Sequence, residues 1–241
     1  MAGWYALRLA LDRQDVRHTY RYNRHLEQVS VIDRAFRRFF RDNPRIATAL
    51  STPMLFIDEM PDLAGLSSCP EGSLGREYHR LNVAYDTGRM DSLRSLRLAT
   101  MPHERIALDR ARGEPLGDEA ARLDWLRCRR NLYMTTSHDL MHLVAGCDMS
   151  LEGEALVAMY QFHHLQMPQN FMNMAMARLG LALSLHVSQI RRIRAARRRV
   201  AASMNPLHAD WPMLWPLPMP EVRRQMMLPP EGLQKAPPDG R

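Results

Sequence analysis

Apolar residues recur at spacings of three and four along most of the chain, which is the period of an α-helix that buries one face. β-Branched residues are scattered, and alternating apolar and polar runs are short. In the segment NRHLEQVSVIDRAFRRFFRD, one helical face is formed by Leu26, Val29, Ile32, Phe36 and Phe39. Asn43 and Pro44 predict the end of this helix and the start of the next one. The pattern therefore predicts an all-α fold.

The same period continues in five later segments. They are a helix with Leu74, Tyr78, Leu81 and Tyr85 on one side, a helix from Asp118 through Tyr133, a helix that carries two histidines and ends at Gly146, a helix from Glu152 to just before Pro168, and a long candidate over 169–203. The stretch from Thr52 to Ser73 is rich in Pro, Gly and Ser, which predicts a loop.

The chain becomes rich in proline after Asn205, which predicts that regular structure largely ends there. No linker divides the preceding sequence into two parts. We therefore predict a single multi-helix domain over 1–204, followed by a proline-rich C-terminal extension over 205–241.

The composition argues against disulfide-rich, secreted and membrane-spanning proteins. The 241 residues are 46% hydrophobic, which is enough for a sizeable core. Three cysteines without a Cys-x-x-Cys pair give neither a disulfide framework nor a thiolate zinc site. The N-terminus shows no secretory signal, and no window has the roughly 18 apolar residues of a spanning helix. We expect a cytoplasmic protein.

The formal net charge of +7 favours acidic partners such as phospholipid head groups. Nucleic acid is not an expected partner, because no recognised binding motif is present and aromatic residues make up only 7% of the chain.

The strongest candidates for metal ligands lie in the stretch SHDLMHLVAGCDMSLEGE. His138 and His142 are four residues apart, so a helix would place both imidazoles on one face. Ten histidines make such a pair common by chance, and two surface histidines are the alternative. Asp139 and Glu154 add carboxylates, and nitrogen with carboxylate oxygen suits zinc, iron or manganese. The pattern indicates a possible divalent metal site.

Two classes of metalloenzyme fit this stretch poorly. His-Glu-x-x-His peptidases use the glutamate as general base, and the shorter Asp139 stands there. Metal phosphohydrolases with a His-Asp doublet need an upstream histidine, for which only His79 and His103 are candidates. That pattern leaves His142 and Glu154 unexplained.

The pattern His138-Asp139-x-x-His142, with Glu154 twelve residues beyond His142, resembles the signature of the ubiquinone (coenzyme Q) biosynthesis protein 4 family. A second stretch, PEGSLGREYHRL from Pro70 to Leu81, is similar to a Pro-x-Gly-[Ser/Thr]-Leu-Gly-x-x-Tyr segment upstream of that signature. The resemblance covers roughly 70–185 and does not extend to the proline-rich C-terminus.

This resemblance implies an all-α protein, peripheral to the inner membrane, that acts on polyprenylated aromatic precursors of ubiquinone. It implies a divalent metal, most commonly zinc, held by His138, Asp139, His142 and Glu154. Family members are viewed both as enzymes that replace the ring carboxyl at C1 by hydroxyl and as scaffolds for the other ubiquinone biosynthesis proteins. For an enzyme, His138 and Asp139 would be catalytic, with Asp139 moving protons.

Other features allow a structural and a functional interpretation. Arg76 and Tyr78 could contact the substrate head group or serve the fold alone. The Met-rich run from Met167 to His186 could line a pocket for an isoprenoid tail or simply pack in the core. The arginine cluster over 191–199 could dock on anionic lipid or be a solvated helix end. Exposed apolar helices would also allow a homodimer.

Overall fold

The structure, a computed structural model, describes residues 30–84, 119–166 and 187–235, together with residues 21, 96, 174, 175 and 179. Within these ranges the regular structure is helical, and the β contacts are two isolated bridges, Leu55 with Glu59 and Ser73 with Pro218. The prediction of an all-α fold is confirmed. Among the described helices, none combines the length and the apolar character that crossing a membrane requires.

Ten α-helices and one 3-10 helix are described in these ranges. The α-helices are α1 (Ser30–Asp42), α2 (Pro44–Ser51), α3 (Leu63–Leu66), α4 (Leu74–Ala84), α5 (Glu119–Thr136), α6 (His138–Ala145), α7 (Leu151–Leu165), α8 (Val187–Ala202), α9 (Trp211–Leu214) and α10 (Met219–Gln225); the 3-10 helix is Pro206–His208.

The chain divides into two compact units, one formed by 1–61 with 84–137 and the other by 62–83 with 138–241. The predicted boundary between residues 204 and 205 does not coincide with this division. In the first unit, α2 packs against both α1 and α5. Its buried side chains include Phe36, Phe40, Leu50, Leu126 and Leu132.

A buried arginine holds the segment that follows α2 in place through hydrogen bonds and an ion pair. Arg129 is 4% exposed, and its guanidinium donates to the carbonyls of Leu50 and Thr52 and forms a forked ion pair with Asp58. A buried guanidinium with this many acceptors fixes the backbone it contacts. The predicted loop also contains the short helix α3, because four residues are too few to give a periodic signal.

The predicted helix ends agree with the structure where it describes them. α1 ends at Asp42, and Pro44 opens α2. α6 ends before Gly146, whose φ of +65 lies in the left-handed region. α7 ends at Leu165, because Gln166 turns the chain with a φ of 52.

Several predicted helix positions lie outside the described residues. They are Leu26, Val29, Tyr85, Asp118, and most of the long candidate before α8.

In the second unit, α6 packs against α7 and α10, and α7 packs against α8. The expectation that regular structure largely ends after Asn205 is wrong. Pro206, Pro212 and Pro220 each stand in the first positions of a short helix. Proline is favoured there because those positions have no intrahelical acceptor for an N–H and need a fixed φ.

The start of α4 is attached to the C-terminal part of the chain. The N–H groups of Leu74 and Gly75 donate to the carbonyls of Leu217 and Trp215, both at 2.9 Å. A Cβ at Gly75 would lie 2.7 Å from the Cys69 sulfur and 3.1 Å from the Trp215 carbonyl. Glycine therefore permits this close backbone approach.

Buried His164 is expected to make stability depend on pH. Burial, together with the smaller effects of neighbouring His163 and His208, lowers the pKa of its imidazole to about 4. An unfolded chain takes up this proton below about pH 6.5, whereas the folded chain does so only near pH 4. Stability conferred by the neutral imidazole is therefore present above pH 6.5 and is lost as the pH falls towards 4.

The measurement is the free energy of unfolding in urea between pH 7.5 and 4, with a chelator present so that no metal contributes. Wild type should lose up to about 3 kcal/mol more than His164→Gln over this range. Equal losses for the two proteins would refute the assignment.

Candidate metal centre

Three side chains predicted as metal ligands converge in the second unit. His138 and His142 lie one turn apart on α6, and their Nε2 atoms are 3.2 Å from each other. The two carboxylate oxygens of Glu154, in the first turn of α7, each lie 3.5 Å from one of these nitrogens. One possible ligand atom from each residue falls within 4.8 Å of the others.

The backbone fixes the orientation of the His142 ring. Its Nδ1 lies 3.3 Å from the carbonyl oxygen of Cys147 and 3.1 Å from that of Asp148. Carbonyl oxygens only accept, so Nδ1 carries the proton, and Nε2 presents its lone pair towards Glu154 in the neutral ring. A histidine that donates its other ring N–H to a carbonyl is the usual arrangement of a metal ligand.

Local structure at the start of α7 positions Glu154. The Ser150 hydroxyl caps the helix by accepting from the Gly153 N–H at 3.2 Å. A Cβ at Gly153 would lie 2.0 Å from the Asp148 carbonyl oxygen, so a larger residue would displace the turn that contacts His142.

Glu154 is anionic in this environment. Partial burial by itself would raise its pKa, but hydrogen bonds and positive charge from the protonated forms of His138 and His142 outweigh that effect and lower the pKa far below its usual range.

The geometry fits a divalent metal. Zinc–nitrogen bonds are about 2.0–2.1 Å long, so two nitrogens on a tetrahedral ion lie roughly 3.4 Å apart. The observed separations of 3.2 and 3.5 Å are close to that value. Two histidines and one glutamate form a donor set of catalytic zinc sites, and iron and manganese accept the same ligand types. Three protein ligands leave a position for water or substrate.

The other predicted site residues lie outside this group. Asp139 is buried, but neighbouring helical residues point about 100° apart, so it does not share the face of His138 and His142. Nε of Arg76 lies 3.8 Å from a carboxylate oxygen of Glu71. The buried ring of Tyr78 stacks on the ring of Trp215, and the two ring centroids are 5.8 Å apart. Their predicted roles as ligand and substrate contacts stay predictions.

Two supporting contacts were not predicted from the sequence. Glu152 is 3% exposed and forms a bidentate ion pair with Arg192 of α8, at 2.6 and 2.7 Å. The guanidinium of Arg223, in α10, donates to the carbonyls of Leu143 and Val144 at the end of α6. Both contacts join residues far apart in sequence, so no spacing pattern indicates them.

A cavity of about 620 Å³ lies between α7 and α8. Its lining residues are Met159, Phe162, His163, Gln166, Met174, Ile193, Arg194, Arg197 and Val200. Apolar side chains therefore combine with two exposed arginines. Met174 belongs to the Met-rich run for which the sequence suggested a pocket, and the rest of that run, apart from residues 175 and 179, lies outside the described residues.

Part of the chain is similar to a known protein family. Residues 132–231 match the family model of the coenzyme Q (ubiquinone) biosynthesis protein Coq4. The match contains all three converging side chains and extends into the proline-rich segment, which the sequence analysis had left unmatched. No curated protein matches the chain.

A crystal structure shows a similar fold. It is that of a Nostoc punctiforme PCC 73102 protein provisionally assigned to ubiquinone biosynthesis, with a TM-score of 0.57, 18% identity, and coverage of 92% of this chain and 93% of that one. At this identity the likeness supports the fold alone. Over residues 132–231, the chain is thus similar to the coenzyme Q (ubiquinone) biosynthesis protein Coq4 family, which confirms the resemblance that the sequence motifs indicated.

Proposed function

We propose that the chain is a metal-dependent enzyme that acts on a polyprenylated aromatic precursor of ubiquinone and replaces the ring carboxyl at C1 by hydroxyl. The observation that carries the proposal is the convergence of His138, His142 and Glu154 on one point. His138 is 26% and Glu154 43% exposed in their side chains, so the group is accessible to a ligand.

His138, His142 and Glu154 would hold a divalent cation, with zinc the first candidate. The bound cation would act as a Lewis acid towards the carboxylate or phenolate of the ring. His142 keeps one tautomer through its two backbone acceptors, and Glu154 supplies a negative charge. Asp139, buried beside His138, is the candidate for moving protons.

The proposed reaction releases the carboxyl carbon as carbon dioxide and adds oxygen at the same ring position. This is a net oxidation of the substrate, so an electron acceptor is required. Molecular oxygen, a redox-active metal in place of zinc, or a partner enzyme of the pathway would serve.

The cavity between α7 and α8 is the candidate site for the prenyl tail. Its volume lies within the usual range for small-molecule sites, and methionine side chains adapt to flexible apolar ligands. α7 carries Glu154 in its first turn and Met159 and Phe162 farther along. The same helix would therefore contact the ring of the substrate through the metal site and its prenyl tail through the cavity.

The basic face of α8 supports action at a membrane surface. Arg194 and Arg197 are exposed at the cavity, where they would attract anionic lipid head groups. The protein would then take its substrate from the bilayer without crossing it.

The test is conversion of a C1-carboxylated prenyl precursor by purified, metal-loaded protein in the presence of oxygen. Formation of the C1-hydroxylated product, with loss of activity in His142→Ala, supports the enzyme and eliminates a purely non-catalytic scaffold. If the protein binds the precursor but never converts it, even with the partner enzymes present, the scaffold is the better account.

A further inference from the structure

We infer that Gln234, near the C-terminus, is a positioning residue for the metal centre, an inference that rests on the proposed function. It lies beyond the residues matched by the family model, in the segment predicted to be a C-terminal extension. Its side chain contacts the loop that joins the two ligand-bearing helices.

That loop is short and carries part of the support for His142. It runs over 146–150, between α6, with both histidines, and α7, with Glu154. Asp148 lies at its centre, and the Asp148 carbonyl oxygen is 3.1 Å from Nδ1 of His142. A shift of this residue would release the imidazole and change the spacing between the ligand helices.

Gln234 holds Asp148 at two points. The Asp148 N–H donates to Oε1 of Gln234 at 2.8 Å, and Nε2 of Gln234 donates to the Asp148 carboxylate at 3.1 Å. The same carboxylate oxygen accepts from the Ser150 N–H at 3.0 Å, and Ser150 caps α7. Gln234 therefore connects the ring orientation of His142 to the helix start that presents Glu154.

The backbone around Gln234 is anchored independently of its side chain. The N–H of Leu233 donates to the carbonyl of Ala145 at 2.7 Å, and Gly232 approaches Gly146 so closely that a Cβ at either position would lie 2.5–2.6 Å from the other α-carbon. Buried Leu233 adds apolar contact. Truncating Gln234 should therefore remove its side-chain hydrogen bonds to Asp148 and Ser150 and leave this segment in place.

The experiment measures zinc affinity of the full chain by competition with a chromophoric chelator, for wild type, Gln234→Ala and Gln225→Ala. Gln225 is an exposed glutamine at the end of α10 and is the matched control. We expect Gln234→Ala to bind zinc about tenfold more weakly, as for other outer contacts of metal ligands. Gln225→Ala should equal wild type, and the melting temperature of the metal-free protein should not change.

Cobalt substitution adds a readout that a purely structural role would not change. The visible spectrum of cobalt reports the ligand geometry, so Gln234→Ala should alter it and Gln225→Ala should not. Zinc affinity and a cobalt spectrum identical to wild type, or a loss of metal-free stability without a loss of affinity, would overturn the inference. If wild type itself binds no zinc or cobalt, the proposed metal centre is what fails.

Discussion

Glu154→Ala is expected to remove the metal from the purified protein and abolish its function. The substitution takes away the anionic ligand and leaves the two histidines of α6, which would have to hold the cation with nitrogen alone. Loss of a contact to a metal ligand costs about 10- to 100-fold in affinity, and loss of the ligand itself should cost more. Metal content, measured by mass spectrometry after dialysis, should fall from near one ion per chain to background.

Glu221→Ala is the matched control for this change. Glu221 also lies in the first turn of a helix, α10, and it pairs with Arg224 at the surface. Its replacement should leave both metal content and stability within error of wild type. A Glu154→Ala protein that kept its full metal content would exclude Glu154 as a ligand.

The second large effect is expected for Arg192→Ala. The change leaves the Glu152 carboxylate, 3% exposed, without its bidentate partner. Removing one partner of a buried ion pair lowers the free energy of unfolding by roughly 3–5 kcal/mol. The lower figure applies here because Arg192 is partly exposed. Urea unfolding of the metal-free protein should report a loss of about 3 kcal/mol.

Two further variants separate the ion pair from the general effect of losing an arginine. Arg191→Ala removes an exposed neighbour on the same helix and should change stability by less than about 0.5 kcal/mol. The double variant Glu152→Leu with Arg192→Met should recover most of the loss, because no buried charge is left unpaired. Equal effects of Arg191→Ala and Arg192→Ala would contradict a stabilising role for the pair.

Sequence pattern predicted the local parts of this site and missed the distant ones. A spacing of four residues was enough to place His138 and His142 on one face, and Gly146 marked the end of their helix. Glu154 was a candidate as a nearby carboxylate, and the family resemblance implied it as a ligand, but no local rule brings the start of one helix to the face of another. Asp139 satisfied the motif but is not one of the three side chains that converge.

The largest feature that the sequence pattern did not predict was the structural role of the C-terminal segment. Its prolines suggested irregular chain, whereas they stand at helix starts, where proline is favoured. Trp215 and Arg223 hold α4 and α6, which carry the two resemblance motifs. These are hydrogen bonds to backbone carbonyl groups, which every residue has, so the sequence at α4 and α6 gives no sign of them.

We propose above that the group formed by His138, His142 and Glu154 operates in ubiquinone biosynthesis. The most direct measurement is the quinone-lipid profile, by mass spectrometry, of cells that lack this gene and express wild type, His142→Ala or Glu221→Ala. We expect low ubiquinone and an accumulated C1-carboxylated precursor without the gene, with recovery by wild type and Glu221→Ala but not by His142→Ala. Full recovery by a stably folded His142→Ala protein, or an unchanged ubiquinone level without the gene, would contradict it.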